Sequence, residues 1–482
     1  MIDFRPVLFV IGILLTTLAA SMCPPLLVDL FDGHAEWRVF AWAAALTLFV
    51  GIALVLTNRC SVRALTVRQA FLLTTGSWII VTAFAALPLA FADVGLSYTD
   101  AYFEAMSGLT TTGASTISGL DRAPQGILLW RGLLHGLGGI GIIAMAVAIL
   151  PLLQVGGMQL FRMESSDRSE KVMPRAAQIA GGITIIYVGF IVVCTFALWA
   201  AGMTPVEAVI HAMSAVATGG FSTSDGSIAH FNSVPIDVIL VLFMFAGGMP
   251  FTAYLQAVRG HPRALWRDAQ IRWYFWIIVV VSIVVGVWHH FTNGAPFWVA
   301  MEQAAFNVVS VVTTTGFANT DYSLWGGFAQ GVFFLITFIG GCAGSTAGAI
   351  KTYRIAVFFA TAKAQIHRLI HPHGVFIPQY NDRPITEEIE AAALSFFFLY
   401  IATWAVVGLI VAATGTDLLT AFTASAAAIG NVGPGLGSIV GPVGNYSSLS
   451  DVAKWALSID MLLGRLELFT VFVLFARAFW RG

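Results

Sequence analysis

The chain has 482 residues, of which 58% are hydrophobic and only 10% charged, with a mean hydropathy of +0.84. Soluble domains carry about a quarter charged residues, so this composition excludes a soluble globule and indicates an all-α polytopic membrane protein. The formal net charge of −1 gives no footing for nucleic acid binding.

The first apolar stretch, Leu8 to Met22, has the length of a signal-peptide core. With so many apolar stretches behind it, it reads as an uncleaved first helix. Stretches long enough to cross about 30 Å of hydrocarbon follow, giving ten expected spans near 5–24, 37–57, 68–92, 127–153, 179–202, 234–258, 272–292, 327–360, 388–414 and 452–480. Four shorter apolar segments lie between them, near 100–111, 206–217, 298–313 and 418–429. They are too short to span and fit re-entrant helices. The layout is two leading helices (1–60) and four units of span, half-helix, turn and span (61–155, 156–260, 261–365 and 366–482). Cys23, Cys60, Cys194 and Cys342 are isolated and read as small core hydrophobes.

Each half-helix runs into a short polar turn: Thr111-Thr112-Gly113-Ala114, Thr218-Gly219-Gly220-Phe221, Thr314-Thr315-Gly316-Phe317 and Asn431-Val432-Gly433-Pro434. The glycines recur at quasi-regular intervals, the mark of an internally duplicated chain. Registered on them, Ser107, Ser214, Ser310 and Ala427 stand six residues earlier, and Ala101, Ala208, Ala304 and Ala421 stand twelve earlier. Nine earlier stand Glu104, His211, Asn307 and Ala424, expected to hydrogen-bond behind the turns as a supporting shell. Polar backbone at membrane depth is tolerated only where it is buried or lines a water-filled path. Four such turns predict one pore with pseudo-fourfold symmetry. Rings of backbone carbonyls, with hydroxyls such as Thr, can replace the water shell of a monovalent cation. Glycine with φ > 0 turns carbonyls toward an axis without a Cβ clash, and each half-helix points its partially negative end at the ion.

Orientation follows from the Lys/Arg bias. Arg59, Arg63 and Arg68; Arg162, Arg168, Lys171 and Arg175; Arg259, Arg263, Arg267 and Arg272; Lys351, Arg354, Lys363, Arg368 and Arg383; and Arg477 and Arg481 all fall in segments joining one unit to the next or at the C-terminus. That face, with both termini, is expected to be cytoplasmic. Asp93, Asp121, Asp225, Asp321, Asp417 and Asp451 fall on the other, where an acidic ring would concentrate cations.

Two features lie outside the repeat. Gly340-Gly341-Cys342-Ala343-Gly344-Ser345-Thr346-Ala347-Gly348 interrupts an expected span. Glycine destabilises a helix by about 1 kcal/mol per residue, which predicts a break there, with close packing through small residues as the plainer reading. Arg465 is expected mid-span in the last helix near Glu467 and Asp460. An intramembrane charge marks a functional site by default, and a structural ion pair with either acid is the alternative.

On these turns and this layout the whole chain resembles the Trk/Ktr/HKT superfamily of potassium transporters, most closely its bacterial TrkH/TrkG-type pore subunits. The resemblance implies a K+ selectivity filter at Thr111, Thr112, Gly113, Thr218, Gly219, Gly220, Thr314, Thr315, Gly316, Asn431, Val432 and Gly433. In related plant proteins serine at the first filter glycine goes with sodium; glycine at all four positions here implies potassium. The fourth turn departs from the other three in Asn431, Val432 and Pro434, a departure usual in the TrkH branch. The resemblance further implies an intramembrane gate at Gly340, Gly341, Gly344, Ser345, Thr346 and Gly348, followed by Lys351, with Arg465 as a pore-facing barrier. It implies potassium uptake across the cell inner membrane, a homodimer in the lipid bilayer, and a cytoplasmic ring of TrkA-type nucleotide-binding subunits. The nucleotide then sits on the partner, and this chain carries K+ as transported ion with no organic cofactor.

Gly136 to Gly141 matches G-x-G-x-x-G but lies in an apolar span with no preceding strand, so it fails as a dinucleotide site. Residues 344–352 lack the Gly-Lys-Ser/Thr of a phosphate loop, and His371 and His373 have no further ligand spacing. The competing function is a secondary transporter coupling K+ to H+ or Na+, since such proteins bind coupling ions at broken helices. An enzyme is disfavoured because no nucleophile–base or metal-ligand cluster stands out.

Overall fold

The computed structural model describes residues 2–59, 65–148 and 172–481. Cys60, Arg63, Arg162, Arg168, Lys171, the far end of the fourth expected span and the unit boundaries at 60/61 and 155/156 lie outside the described residues. Apart from one antiparallel pair, Gln379–Tyr380 with Arg383–Pro384, the described regular structure is helical.

Among the described residues, seven helices are long and apolar enough to cross a membrane: Arg5–Asp32, Trp37–Thr57, Val67–Phe91, Gln125–Ile143, Gln178–Ala200, Ala269–Asn293 and Glu387–Ala413. Their outer faces present Trp42, Phe49, Ile185 and Phe398, a surface suited to hydrocarbon rather than water. Small residues let these helices approach closely. A Cβ on Gly12 would lie 2.9 Å from the Gly51 carbonyl, and one on Gly51 would lie 2.8 Å from Thr16 Oγ1. The Gly136–Gly141 stretch is likewise packing surface, with Gly138 against the Leu109 carbonyl and Gly139 against the Tyr187 ring.

An eighth span is bent. Val234–Gly247 and Phe251–Val258 meet at 93°, because Pro250 has no N–H and its ring clashes with a continuing helix. The two remaining expected spans are interrupted. The stretch 327–360 divides into Gly327–Thr337 and Thr352–Ile370. The stretch 452–480 divides after Asp451–Arg465, where Glu467 and Leu468 take φ of 59° and 55°. Arg465 therefore ends a helix and does not sit in the middle of one.

The four short helices are Tyr98–Leu109, Pro205–Val216, Phe297–Val312 and Leu418–Gly430. Ser97 with Asp100, and Thr204 with Glu207, form capping boxes that satisfy the first amides. Asp417 caps the fourth by accepting from the Thr420 N–H at 3.0 Å. The third starts after Pro296 without a side-chain cap. All four are buried along most of their length, so the long helices wall them off and they form the centre of the molecule. Of the cysteines, Cys194 and Cys342 are buried as expected, whereas Cys23 is exposed.

Candidate functional site: a ring of four turns

Each short helix ends in the same way. Thr112, Gly219, Thr315 and Val432 donate their amides to the carbonyls of Ser107, Ser214, Ser310 and Ala427 at 2.7–2.9 Å. The preceding residues bond Gly108, Ala215, Val311 and Ala428 at 3.0–3.2 Å. This is the Schellman pattern, which needs one left-handed residue. Glycine was the expected bearer of positive φ, but the left-handed residue at the cap is Thr111 (51°), Thr218 (53°), Thr314 (58°) or Asn431 (52°). A β-branched residue is an outlier there, at a cost of roughly 1–2 kcal/mol each. Two residues on, Gly113, Gly220, Gly316 and Gly433 take φ of 84–98°. The chain thus turns twice within three residues, a path that strains three threonines and that the surrounding packing must hold.

The four turns meet. A Cβ built on Gly113 would strike the Gly219 carbonyl oxygen, one on Gly220 that of Thr315, and one on Gly316 that of Val432. One on Gly433 would lie 2.6 Å from the Thr112 oxygen. The sequence of contacts runs first to second to third to fourth and back to first. All twelve residues expected at the turns therefore share one closed ring.

Behind the ring, the residues nine before each glycine brace the chain that leaves the turn. Glu104 accepts from the Thr116 N–H at 2.7 Å and Ser115 Oγ at 3.0 Å. His211 Nε2 meets Ser222 Oγ at 3.1 Å, and Asn307 Nδ2 donates to Asn319 Oδ1 at 2.7 Å. Ala424 has no such group; there the job moves one residue earlier, to Thr423, whose hydroxyl accepts from Leu436 N at 3.0 Å. Ser214 and Ser310 donate to the carbonyls of Phe221 and Phe317, at 2.8 and 2.6 Å. Asn431 Nδ2 donates to Thr112 Oγ1 at 3.0 Å, and Tyr446 OH to the Gly433 carbonyl at 2.7 Å.

The Gly340–Gly348 segment lies against one side of this ring. The Gly348 N–H donates to Thr314 Oγ1 at 2.7 Å, and Thr218 Oγ1 lies 3.2 Å from Thr346 Oγ1. A Cβ on Gly348 would strike the Gly430 carbonyl, so the segment touches the second, third and fourth turns. Gly340 N bonds the Ile350 carbonyl at 2.9 Å and Thr352 N that of Gly341 at 3.0 Å, so the two ends of the loop close on each other. The middle of the loop pairs with the bend of the eighth span. Cys342 N and Thr346 N donate to Gly248 O (2.9 Å) and Gly247 O (3.3 Å), and Phe251 N donates to Gly344 O at 3.0 Å. Ser345 Oγ donates back to Cys342 O at 2.6 Å.

Arg465 joins this assembly. Its Nη1 donates to the Thr346 carbonyl at 2.7 Å. It pairs with neither acid considered from the sequence: Glu467 is held by Arg354, and Asp460 accepts from Ser425 Oγ at 2.9 Å. Lys351 Nζ caps the Ala347 carbonyl, and Arg354 also lies 3.6 Å over the Phe396 ring. The eight residues expected at the gate thus form one bonded cluster against the ring.

Of the six acids expected on the outer face, Asp225, Asp321 and Asp417 accept backbone N–H groups at Gly119, Ser323 and Thr420, and all but the half-buried Asp321 are exposed. The turn motifs also passed over Arg131, a buried cation in an apolar helix paired with Glu104 at 2.8 Å. The signal that singled out Arg465, a charge within a span, was equally present at Arg131.

Comparison with known proteins agrees with this architecture. The family model for TrkH, a cation transport protein, matches residues 37–481. The Trk system potassium uptake protein TrkI of Halomonas elongata is 42% identical over 480 residues, 99% of this chain and 97% of that one. The Trk system potassium uptake protein TrkH of Escherichia coli K12 is 38% identical, with 99% of each chain covered. The crystal structure of the potassium transporter TrkH from Vibrio parahaemolyticus superposes with a TM-score of 0.92 at 36% identity, covering 100% of both chains. A ring of backbone turns inside a helical membrane protein, together with these full-length likenesses, places the chain in the TrkH family of cation transport proteins, which are transporters and not enzymes.

Proposed function

We propose that this chain takes up potassium across the cell inner membrane, as the transmembrane subunit of a Trk system. The observation that carries the reading is the closed ring. The carbonyls of Thr112, Gly219, Thr315 and Val432 each lie against the glycine of an adjacent turn, and a ring of backbone carbonyls can stand in for the water shell of a bare K+. The helix ends behind them contribute partial negative charge. Potassium here is the transported ion; the chain's residues hold it in passing.

In this reading the fold comprises ten spans, counting the two interrupted ones, with both termini cytoplasmic. Residues 1–60 are two leading helices, and 61–155, 156–260, 261–365 and 366–482 are four quarters of one pseudo-fourfold pore. The Gly340–Gly348 loop, Lys351 and Arg465 form the gate. Arg465 keeps two guanidinium nitrogens, Nε and Nη2, without a partner among the described residues, so its charge stays available as a barrier to cations. The chain works as a homodimer in the bilayer, and a cytoplasmic TrkA-type ring binds the nucleotide that regulates it.

Flux of K+, Rb+ and Na+ into liposomes, comparing wild type with Gly113→Ser, tests the reading. Equal sodium and potassium flux through the wild type would sink it. Coupled K+ transport with H+ or Na+ draws on the paired helix breaks, which resemble sites where secondary transporters hold ions. A passive path has a reversal potential that tracks the potassium gradient alone, whereas coupling shifts it with the second ion.

A further inference from the structure

The four junctions of the ring are built from different materials. Between the fourth and first turns lie Asn431 on Thr112 and the Tyr446 amide on the Ser115 carbonyl at 2.8 Å. Between the second and third, the Ile228 amide donates to the Ala318 carbonyl at 3.0 Å. Between the third and fourth, the space beside Gly316 is closed by Pro434, whose Cδ would lie 2.8 Å from a Cβ built on the glycine. Between the first and second stands a charged group, Arg131, which is 1% exposed.

Each guanidinium nitrogen of Arg131 has a partner. Nε donates to Glu104 Oε1 at 2.8 Å, Nη1 to the Ser222 carbonyl at 2.8 Å, and Nη2 to Ser115 Oγ at 3.2 Å. Its plane lies 4.0 Å from the Phe221 ring, which also stacks on His135 at 4.2 Å. His135 stands one helical turn further along the same helix and reaches Ser214 Oγ at 2.7 Å. Ser115 follows the first turn, Phe221 closes the second and Ser222 follows it. One planar fork therefore sets the spacing between the two chains as they leave the ring.

A buried ion pair is often no more stabilising than a well-packed apolar pair; where it is retained, it can serve to fix one geometry. Arginine suits that use, because its donors keep fixed directions that a lysine ammonium does not reproduce. We propose that Arg131 is a positioning residue for ion selectivity, holding the first and second turns at the separation that favours K+ over Na+. The proposal rests on the potassium reading above.

The test is the Na+/K+ permeability ratio from bi-ionic reversal potentials of the purified full-length protein in planar bilayers. Three variants are compared with wild type: Arg131→Lys, the neutral double Glu104→Gln with Arg131→Gln, and Phe221→Leu. The ratio should rise by about tenfold in the first two, the factor associated with losing one charge-assisted hydrogen bond, and by less in Phe221→Leu. Should Arg131→Lys leave Glu104 unpaired and fail to assemble, the neutral double and Phe221→Leu decide. An unchanged ratio in the assembled variants, against a selective wild type, overturns the clamp and leaves the potassium reading standing. A wild type that passes both ions equally defeats the potassium reading and the clamp with it.

Discussion

Serine placed singly at each of the four ring glycines should damage potassium flux unequally, with Gly433→Ser the mildest. All four positions have φ of 84–98°, so the backbone cost of an L-residue, roughly 1–2 kcal/mol or more, is common to the series. The difference lies in what the new Cβ meets. Carbon and carbonyl oxygen approach ordinarily to about 3.3 Å, so at Gly433, where the Thr112 oxygen stands 2.6 Å away, that oxygen must retreat by about 0.7 Å. At Gly113, Gly220 and Gly316 the facing carbonyl must retreat further, and at Gly316 Pro434 Cδ lies only 2.8 Å from the same Cβ. Withdrawing one carbonyl from a bound cation should cost about as much as a charge-assisted hydrogen bond, roughly 1.5–3 kcal/mol, or a potassium site weaker by roughly 10- to 150-fold. Concentration-dependent Rb+ and K+ uptake into liposomes, normalised to assembled protein, reads this as a rightward shift. Gly433→Ser shifting as far as Gly220→Ser or Gly316→Ser would refute the reasoning.

Further outcomes follow from the loop and the caps. Thr314→Val leaves the Gly348 amide buried without its acceptor, a loss of about 1–3 kcal/mol, and should lower the melting temperature in detergent while raising resting flux. Arg465→Ala removes the buried charge beside Thr346 and should raise flux; a folded variant with equal or lower flux counts against the barrier role. Glu467→Gln strips Arg354 of its ion-pair partner in a site largely closed to water, where breaking a pair costs about 3–5 kcal/mol, so thermal stability should fall well below that of Arg465→Ala. Asp417 is held below its ordinary carboxylate value chiefly by the Thr420 N–H. A lowered folded value contributes stability above the unfolded pKa and loses it as pH falls. Asp417→Ala should therefore cost about 1 kcal/mol at neutral pH and converge on wild type in acid, as followed by thermal melts.

Much of the fold and of the ring was legible because its grammar is local. A half-helix too short to span, ending in a small or polar turn, is written in consecutive residues, and registering the glycines also recovered Glu104, His211 and Asn307. What stayed hidden depends on partners distant in the chain. Glycine drew attention as the residue able to turn, yet Thr111, Thr218 and Thr314 carry the left-handed cap, since only surrounding packing can impose that conformation on a β-branched residue. Arg131 reaches Ser222 across about ninety positions of sequence, which no spacing rule could reveal. Arg465 has apolar residues on both sides in the sequence, the pattern of a mid-helix position; the left-handed pair Glu467 and Leu468 that ends its helix carries no glycine or proline. The acids expected on the outer face are visible in the sequence, whereas the amides from which Asp225 and Asp321 accept emerge only in the fold.

The bend at Gly247–Pro250 and the interruption at Gly340–Gly348 saturate each other's main chain: amides at 342 and 346 find carbonyls at 248 and 247, and the amide at 251 finds the carbonyl at 344. Lipid offers no substitute for a missing backbone partner, so the two defects are complementary and neither is tolerable alone. Straightening either helix by substitution would orphan its counterpart's peptide groups in the protein interior. Such a chain could gain or lose these kinks only in tandem. The same bonds make any movement of the loop a movement of the bent helix as well, and motion against the ring is thereby transmitted along Phe251–Val258 to its far end.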